Sequence, residues 1–278
     1  MNNPRDSNQM SICDRLYELS QVGPMGLYTD IDGTISRIAL TPSSAAVEPR
    51  AIAALERIRR HGVRVVAISG RAAADAHALV GLDAIDYAGN HGFELLTSSG
   101  RQVASDVELA ASTVARALDE ARAALPSLPQ GVLVEDKTYT GSVHFRLVED
   151  QATAESLLRK LLTEIAGRNG LALTEGRLVF ELRPRLHIDK GVFTAADIRL
   201  HELKAAAFLG DDITDLDGFS AIKELLASAE LDDGACVGVR APESSQRVID
   251  ESDLVAEGVD HLCDELCRFA VRLSEVRR

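Results

Sequence analysis

Short apolar runs alternate with amphipathic stretches along most of the chain after residue 25. The runs in "GLYT", "VRVVAISG" and "IDYAGNHG" are apolar with little interruption, as in parallel strands buried on both faces. The segments between them, "VEPRAIAALERIRRHG" and "RAAADAHALVG", carry aliphatic residues at helical spacing and end in glycine. This order of strand, helix, strand, helix and strand predicts an α/β fold with a doubly wound parallel sheet.

The middle of the chain predicts a different unit. An alanine-rich helix begins near Val107 and ends at the prolines of "LPSLPQG". "GVLVEDKTYTGSVHFRLV" predicts two strands joined by a polar turn around 139–141, and a second helix, "QATAESLLRKLLTEIAGRNG", ends at Gly170. "LALTEGRLVFELRP" predicts two more strands across a Glu-Gly turn. This αββαββ order predicts a small antiparallel sheet with two helices, inserted into the larger domain.

The α/β pattern then returns with a helix in "DKGVFTAADIRLHEL", a strand in "AAAFLGDD", a helix in "ITDLDGFSAIKELLASA" and a strand in "ACVGV". A closing amphipathic helix follows in "GVDHLCDELCRFAVRLSEV". We therefore expect a core formed by residues 1–105 and 186–278, with an inserted α+β domain at 106–185. The N-terminus is expected to be loose to about residue 20.

Composition and charge restrict the classes of partner and the compartment that we expect for this protein. The 278 residues carry 43 acidic and 30 basic side chains, a net charge of −13, which argues against nucleic acid or an anionic membrane as the main partner. A small anionic substrate stays possible, because one bound divalent cation inverts the local field. The four scattered cysteines, the lack of a membrane-length apolar run and the lack of a signal-peptide core predict a cytoplasmic protein with reduced thiols. We expect a monomer or a weak homo-oligomer.

Polar side chains follow the predicted strands at the points where active sites of open α/β sheets lie. Four separate segments supply them: the end of the first strand, the end of the second, the start of the helix after the insert, and the end of the next strand. The residues concerned are Asp30, Asp32, Ser69, Lys190, Asp211 and Asp215.

This set has a chemical logic, because carboxylates are the hard oxygen ligands that Mg²⁺ prefers. An aspartate can attack phosphorus, a second acid can move the proton, and a lysine with a hydroxyl can hold phosphate oxygens. Each piece alone has a plainer interpretation: the DxDG pair as a turn, Lys190 as a solvated helix start, Ser69-Gly70 as a turn. An EF-hand is disfavoured because Ile213 stands at the first ligand position. Together, in this order, the segments favour catalysis.

The segments "DIDGT" (30–34), Ser69, Lys190 and "GDDITD" (210–215) resemble the four motifs of the haloacid dehalogenase (HAD) superfamily, in the same order. The insert resembles the C2-type cap of sugar phosphatases. The finer motifs "SGR", "GNHGFE", "VEDK" with "HFR", "FELRP" and "DKG" resemble the trehalose-6-phosphate phosphatase family, over roughly residues 27–240.

The resemblance implies roles for the motif residues. Asp30 would be the nucleophile and Asp32 the general acid/base, while Ser69 and Lys190 would hold the transferring phosphoryl group. Mg²⁺ would be bound by Asp30, the backbone carbonyl of Asp32 and Asp211, with Asp215 assisting.

The resemblance also assigns sugar recognition to charged residues of the cap and to its junction with the core. The expected substrate-binding residues are Arg71, His91, Glu135, Lys137, Arg146 and Glu181. Period-two spacing independently places Glu135 with Lys137 on one strand face, and His144 with Arg146 on one face of the next strand; a solvated polar face is the alternative. His91 is either functional or a structural loop residue near the junction of the two domains. One departure from the family pattern is Leu216, which replaces an acidic residue.

The function expected from this resemblance is Mg²⁺-dependent hydrolysis of trehalose 6-phosphate through an aspartyl-phosphate, a step of trehalose biosynthesis. Alternatives within the same chemistry are a phosphatase for another sugar phosphate or phosphoglycoside, and a phosphomutase. A different class is a non-catalytic domain that binds a sugar phosphate and regulates a partner. Such domains typically lose the nucleophile or the acid, whereas this chain keeps both Asp30 and Asp32.

Overall fold

The computed structural model describes residues 10–41, 44–241 and 244–275. In these ranges the helices are α1 (Ile12–Val22), α2 (Pro49–Arg60), α3 (Ala73–Val80), α4 (Ser105–Ala124), α5 (Gln151–Asn169), α6 (Lys190–Leu200), α7 (Asp215–Ala227), α8 (Gln246–Asp250) and α9 (Val259–Glu275). The strands are β1 (Met25–Thr29), β2 (Arg64–Ile68), β3 (Asp86–Gly89), β4 (Glu94–Thr97), β5 (Gly100–Val103), β6 (Leu133–Asp136), β7 (Gly141–His144), β8 (Ala172–Gly176), β9 (Val179–Arg183), β10 (Ala205–Gly210), β11 (Asp233–Val239) and β12 (Leu254–Ala256).

The larger sheet has the strand order β12-β11-β10-β1-β2-β3-β4-β5. The six strands from β12 to β3 are parallel, and β4 and β5 extend this sheet as an antiparallel hairpin. The chain starts in the middle at β1 and winds outward in both directions, so the α/β doubly wound prediction is confirmed. The carboxyl ends of β1, β2 and β10 therefore lie side by side.

Helices cover both faces of the larger sheet. Helices α1, α2, α3 and α9 contribute to one apolar cluster, whereas α6, α7 and α8 contribute to the cluster on the opposite face. Successive residues of a strand point to opposite faces, so Leu27 belongs to the first cluster and Tyr28 to the second. All five residues of β1 are buried, which explains why its sequence is an unbroken apolar run.

The insert forms a second sheet with the order β6-β7-β9-β8, in which every pairing is antiparallel. Helices α4 and α5 pack on one face and share an apolar cluster with it, including Leu118, Leu158 and Phe180. The other face carries polar side chains such as Glu135 and Glu181, which line a cavity between the two sheets. The chain enters this unit after β5 and leaves it after β9, and Phe93, Val107 and Tyr139 form a separate apolar cluster at the junction.

The expectation of a loose N-terminus to about residue 20 is wrong from Ser11 onward. Helix α1 begins there, with the Ser11 hydroxyl accepting a 3.0 Å hydrogen bond from the backbone N–H of Asp14. Leu16 and Leu19 are fully buried in the core. Residues 1–9, to which the same expectation applied, lie outside the described residues.

The cysteines and the apolar character of the helices can also be compared with what the sequence predicts. All four cysteines are free thiols, and Cys13, Cys236 and Cys263 are buried. Among the residues that the structure describes, no helix combines the length and the apolar character needed to cross a membrane.

Candidate active site

The carboxyl edge of the larger sheet brings together the residues that the sequence places after its strands. Asp30 follows β1 and extends its pairing, because its backbone N–H donates to the carbonyl of Leu209 at 2.9 Å. Ser69 follows β2 and is tied in the same way to Ala88 of β3 at 2.9 Å. Asp211 follows β10 directly. The prediction that separate segments meet at one sheet edge is thus realised in the geometry.

Lys190 lies between two of the aspartates. Its Nζ is 2.7 Å from Asp30 Oδ1 and 2.7 Å from Asp215 Oδ1, and all three side chains are buried. Burial disfavours the charged lysine, but the two carboxylates outweigh burial, and the pKa of Lys190 is raised. Helix α6 fixes this lysine, because the Asp189 side chain caps the helix by accepting from the backbone N–H of Val192 at 2.8 Å.

Carboxylate oxygens of Asp30, Asp211 and Asp215 all lie within 4.8 Å of one another. Burial raises the pKa of Asp30 well above its ordinary value; Lys190 opposes this shift, and the other two carboxylates add to it. Burial, with repulsion from Asp215, raises the pKa of Asp211 to about 7. One lysine therefore does not neutralise the cluster. Three hard oxygen donors with a surplus of negative charge fit a divalent cation such as Mg²⁺.

Gly33 and Thr34, which follow the two aspartates of the motif in the chain, both lie against Asp211 of this cluster. A Cβ on Gly33 would lie 2.2 Å from Asp211 Oδ2, and the residue has a φ of +95°, so only glycine fits here without strain. The Thr34 hydroxyl is 3.2 Å from Asp211 Oδ1 and donates to it. Asp215 in turn accepts from the backbone N–H groups of Asp211 and Asp212, at 2.9 Å each.

The Asp32 carboxylate stands apart from the three-aspartate cluster. Arg71 binds it with both arms of the guanidinium, with Nε at 2.6 Å and Nη2 at 2.8 Å from the two oxygens. The two aspartates of the motif therefore have different cationic partners, Arg71 for Asp32 and Lys190 for Asp30. The Ser69 hydroxyl accepts from the backbone N–H of Arg71 at 3.1 Å and is almost fully buried.

A second charged group lies on the side of the site that the inserted sheet forms, which we call the cap side. Lys137 Nζ donates to the carbonyl of Gly70 at 2.8 Å and lies 3.3 Å from Glu181 Oε1. Burial raises the pKa of Glu181, but Lys137, His91 and Arg183 outweigh it, and the net pKa is lowered. The cap and the core are therefore already joined by a charged contact at the cleft.

Glu135 on β6 and His144 on β7 form a diagonal pair across the two strands, with Glu135 Oε2 2.8 Å from His144 Nε2. That hydrogen bond and the charge of Lys137 outweigh burial and lower the pKa of Glu135. The strands are shorter than expected: β6 ends at Asp136 and β7 at His144, so Lys137 and Arg146 lie just beyond them. Both still line the cavity.

His91 lies in a tight turn after β3 with a φ of +59°. Its ring packs against Gly70, where an added Cβ would lie 2.8 Å from ring atoms, and its Nε2 is 3.5 Å from Glu181 Oε2. Burial, opposed by Glu181, lowers the pKa of His91 to about 4, so the ring is neutral at pH 7. Its Nδ1 is buried and has no hydrogen-bond partner among the residues that the structure describes. His91 thus touches both the core and the cap sides of the cleft.

A cavity of about 410 Å³ joins the two sides. Every predicted site residue lines it except Asp211 and Asp215, whose side chains are fully buried. The predicted residues in its wall are Asp30, Asp32, Ser69, Arg71, His91, Glu135, Lys137, Arg146, Glu181 and Lys190.

Arg177 and Asn90 are two of the residues at the site that the sequence did not predict. Arg177, in the turn between β8 and β9, reaches from the cap to Asp211 at 3.2 Å and to Asp212 at 3.4 Å. Asn90 is fully buried at the junction of the two sheets. Asn90 lies within the "GNHGFE" motif, but neither its hydrogen bond to the carbonyl of Lys137 nor that of Arg177 to Asp211 follows from a single sequence, because both depend on how the two sheets pack together. Leu216, the departure from the family pattern, packs in the core with Phe208 and Phe219 and does not line the cavity.

The fold and the site define the class: a HAD-fold protein with a Rossmann-like core and an aspartate-lysine cluster at the carboxyl edge of its sheet. Residues 28–252 match the model of the trehalose-phosphatase family. The chain belongs to this family.

The relatives include a trehalose-phosphate phosphatase of Mycobacterium marinum, 34% identical over 247 residues, which are 85% of this chain and 62% of the relative. The chain spans about three fifths of the length of the curated relatives it matches. The C-terminal domain of a Candida albicans trehalose-6-phosphate phosphatase superposes with a TM-score of 0.78 at 18% identity, covering 95% of this chain and 99% of that one.

A regulatory protein has the same fold. The C-terminal domain of a Candida albicans trehalose synthase regulatory protein superposes with a TM-score of 0.70 at 13% identity, covering 91% of this chain and 97% of that one. The fold alone therefore does not distinguish a catalytic from a regulatory domain, and the distinction depends on the site residues.

Proposed function

We propose that this chain is a Mg²⁺-dependent phosphatase that hydrolyses trehalose 6-phosphate to trehalose and phosphate through an aspartyl-phosphate. One observation carries the proposal: the buried pair of Asp30 and Lys190, from the larger sheet, lines the same cavity as the charged residues Lys137 and Glu181 of the inserted sheet. The Asp30–Lys190 pair suits a phosphoryl group, and the charged residues of the insert suit sugar hydroxyls.

In the first step, a carboxylate oxygen of Asp30 attacks the phosphorus, and the bond from phosphorus to the sugar oxygen breaks. Asp32 donates a proton to that leaving oxygen. Lys190 and Ser69 hold the transferring phosphoryl oxygens, whose negative charge a buried ammonium and a hydroxyl stabilise.

In the second step, Asp32 takes a proton from a water molecule, which attacks the phosphorus of the aspartyl-phosphate. Phosphate leaves and the Asp30 carboxylate is restored. Asp32 must leave Arg71 to reach the leaving oxygen, and Arg71 then becomes available to a substrate phosphate or hydroxyl.

Mg²⁺ would be held by Asp30, Asp211 and the backbone carbonyl of Asp32, with Asp215 assisting; the oxygens of Asp215 accept from Lys190 and from two backbone N–H groups. When bound, it would neutralise the surplus negative charge of the cluster and of the phosphoryl group. The raised pKa values of Asp30 and Asp211 are the observation that supports this fit.

We propose that residues 106–185 act as the cap, in which Glu135, Lys137, Arg146 and Glu181 recognise the sugar. A cavity of about 410 Å³ between the sheets supports this role. The buried free thiols support the cytoplasm as the compartment.

The test is a phosphate-release assay over a panel of sugar phosphates, each with Mg²⁺ or with EDTA. We expect trehalose 6-phosphate to give the highest kcat/KM, with EDTA removing the activity. A preference for glucose 6-phosphate or sucrose 6-phosphate would contradict the substrate assignment. Binding without phosphate release in Mg²⁺ would indicate the regulatory function instead.

A further inference from the structure

A single amide side chain of the core anchors the turn of the cap that carries Lys137. The Asn90 Nδ2 donates to Glu94 Oε1 at 2.8 Å and to the backbone carbonyl of Lys137 at 3.2 Å. Its Oδ1 accepts from the Thr140 hydroxyl at 2.7 Å. The amide nitrogen thus faces two acceptors and the amide oxygen faces a donor, so the hydrogen-bonding groups of this side chain are matched.

The cap turn holds the charged pair that faces the cavity. Besides contacting Asn90, the Thr140 hydroxyl oxygen is 3.0 Å from Glu181 Oε1, and Lys137 Nζ is 3.3 Å from the same oxygen. Asn90 and Thr140 are fully buried, and Lys137 and Glu181 are nearly so. A shift of the turn would therefore displace both charged side chains relative to the core.

On the core side, the same loop holds the segment that carries Ser69. The backbone N–H of Asn90 donates to the carbonyl of Arg71 at 2.7 Å, and that of His91 donates to the carbonyl of Ser69 at 2.9 Å. These are backbone bonds, which a change of the Asn90 or Thr140 side chain leaves in place. The side-chain bonds fix the position of the cap turn. The backbone bonds hold residues 69–71, which we call the phosphoryl-binding loop.

We propose that Asn90, acting through Thr140, is a positioning residue that fixes the sugar-recognising side chains of the cap relative to the phosphoryl-binding loop. The inference rests on the proposed function, because it assumes that Lys137 and Glu181 contact the sugar. It predicts a defect confined to substrates with a sugar: without the Thr140 hydroxyl, the buried oxygens Asn90 Oδ1 and Glu181 Oε1 lose the donor that lies between them, and the turn shifts.

The test compares trehalose 6-phosphate with p-nitrophenyl phosphate, a phosphoester without sugar hydroxyls, on the full chain in Mg²⁺. Thr140→Val removes the hydroxyl at nearly constant volume, and Thr140→Ser restores it. Asn90→Gly removes the amide and is compatible with the φ of +51° at this position. The matched control is Thr163→Val, on the exposed face of α5, where the hydroxyl bonds the carbonyl of Arg159.

For Thr140→Val we expect kcat/KM for trehalose 6-phosphate to fall about tenfold, mainly through KM, because one buried hydrogen bond is lost. Hydrolysis of p-nitrophenyl phosphate should change by less than about twofold, and Thr140→Ser should recover the sugar substrate to within about threefold. In the Asn90→Gly background, Thr140→Val should have a smaller effect than in the unmodified protein, because the Asn90–Thr140 bond is already absent and only the bond from Thr140 to Glu181 is left to lose.

An equal loss on both substrates, or no loss on either, would overturn the inference while leaving the phosphatase function intact. A Thr163→Val effect as large as that of Thr140→Val would also overturn it. If the unmodified protein releases phosphate from p-nitrophenyl phosphate but not from trehalose 6-phosphate, the proposed function fails, and the inference fails with it.

Discussion

Magnesium should stabilise the folded protein more strongly at about pH 7.5 than at about pH 5.5, because a proton on Asp211 competes with the cation. Burial and Asp215 raise the pKa of Asp211 from its ordinary 3.8 to about 7. The folded state therefore binds more protons than the unfolded state between these values. In EDTA, the Asp211 contribution to the free energy of unfolding accordingly falls as the pH rises from about 4 through about 7.

The size of the magnesium effect follows from the same pKa. One proton that binds Asp211 with a pKa of about 7 competes with the cation. Relative to the fully deprotonated site, this competition weakens the apparent Mg²⁺ affinity about 30-fold at pH 5.5 but only about 1.3-fold at pH 7.5. The ratio is about 25-fold, so at concentrations well above Kd the stabilisation should differ by about 2 kcal/mol. Asp30, whose pKa is also raised, would increase the difference.

The assay is urea denaturation at both pH values, with Mg²⁺ and with EDTA. Asp211→Asn removes the carboxylate and should abolish magnesium stabilisation at both pH values, whereas the neighbouring Asp212→Asn, whose carboxylate is outside the cluster, should keep it. Equal stabilisation by Mg²⁺ at both pH values in the unmodified protein would refute the reasoning about Asp211. So would the absence of stabilisation by Mg²⁺ at about pH 7.5.

Two further substitutions test the buried charges. Lys190→Met leaves Asp30 and Asp215 buried without their cation, so in EDTA we expect the free energy of unfolding to fall by about 3 kcal/mol; a loss no larger than that of the exposed Lys204→Met would contradict this. Glu265 accepts a 2.6 Å hydrogen bond from the backbone N–H of Cys13 at the start of α1. Glu265→Ala should cost about 2 kcal/mol in urea denaturation and Glu265→Gln clearly less, because its amide oxygen can still accept; equal costs would contradict the capping role.

The parallel strands of the larger sheet were predictable from the sequence. They are buried on both faces, so their residues form nearly unbroken apolar runs. The residues after these runs, Asp30, Ser69 and Asp211, could then be placed together by topology alone. The hairpin of β4 and β5 was missed because its segment, "ELLTSSGRQV", has only short apolar stretches and one largely exposed strand. Helix α1 was missed although Ile12, Leu16 and Leu19 lie at helical spacing, because the polar residues before them suggested a loose terminus.

The cap side of the site was predictable only in part. Glu135, Lys137 and Glu181 came from motifs and strand periodicity, and all three line the cavity. Arg177 was not predictable, because its contact with Asp211 joins residues of two different sheets. Such contacts depend on the docking of one unit on the other, which leaves no period or motif in a single sequence.

The central claim is that Asp30 attacks the phosphorus of trehalose 6-phosphate. The most direct test is the rate of phosphate release from this substrate in Mg²⁺ by the unmodified protein and by Asp30→Asn, which keeps the shape of the side chain and removes the nucleophile. We predict a loss of at least about a thousandfold, with an unfolding midpoint in urea showing that the variant is folded. Release by Asp30→Asn at a rate comparable to that of the unmodified protein would contradict the account.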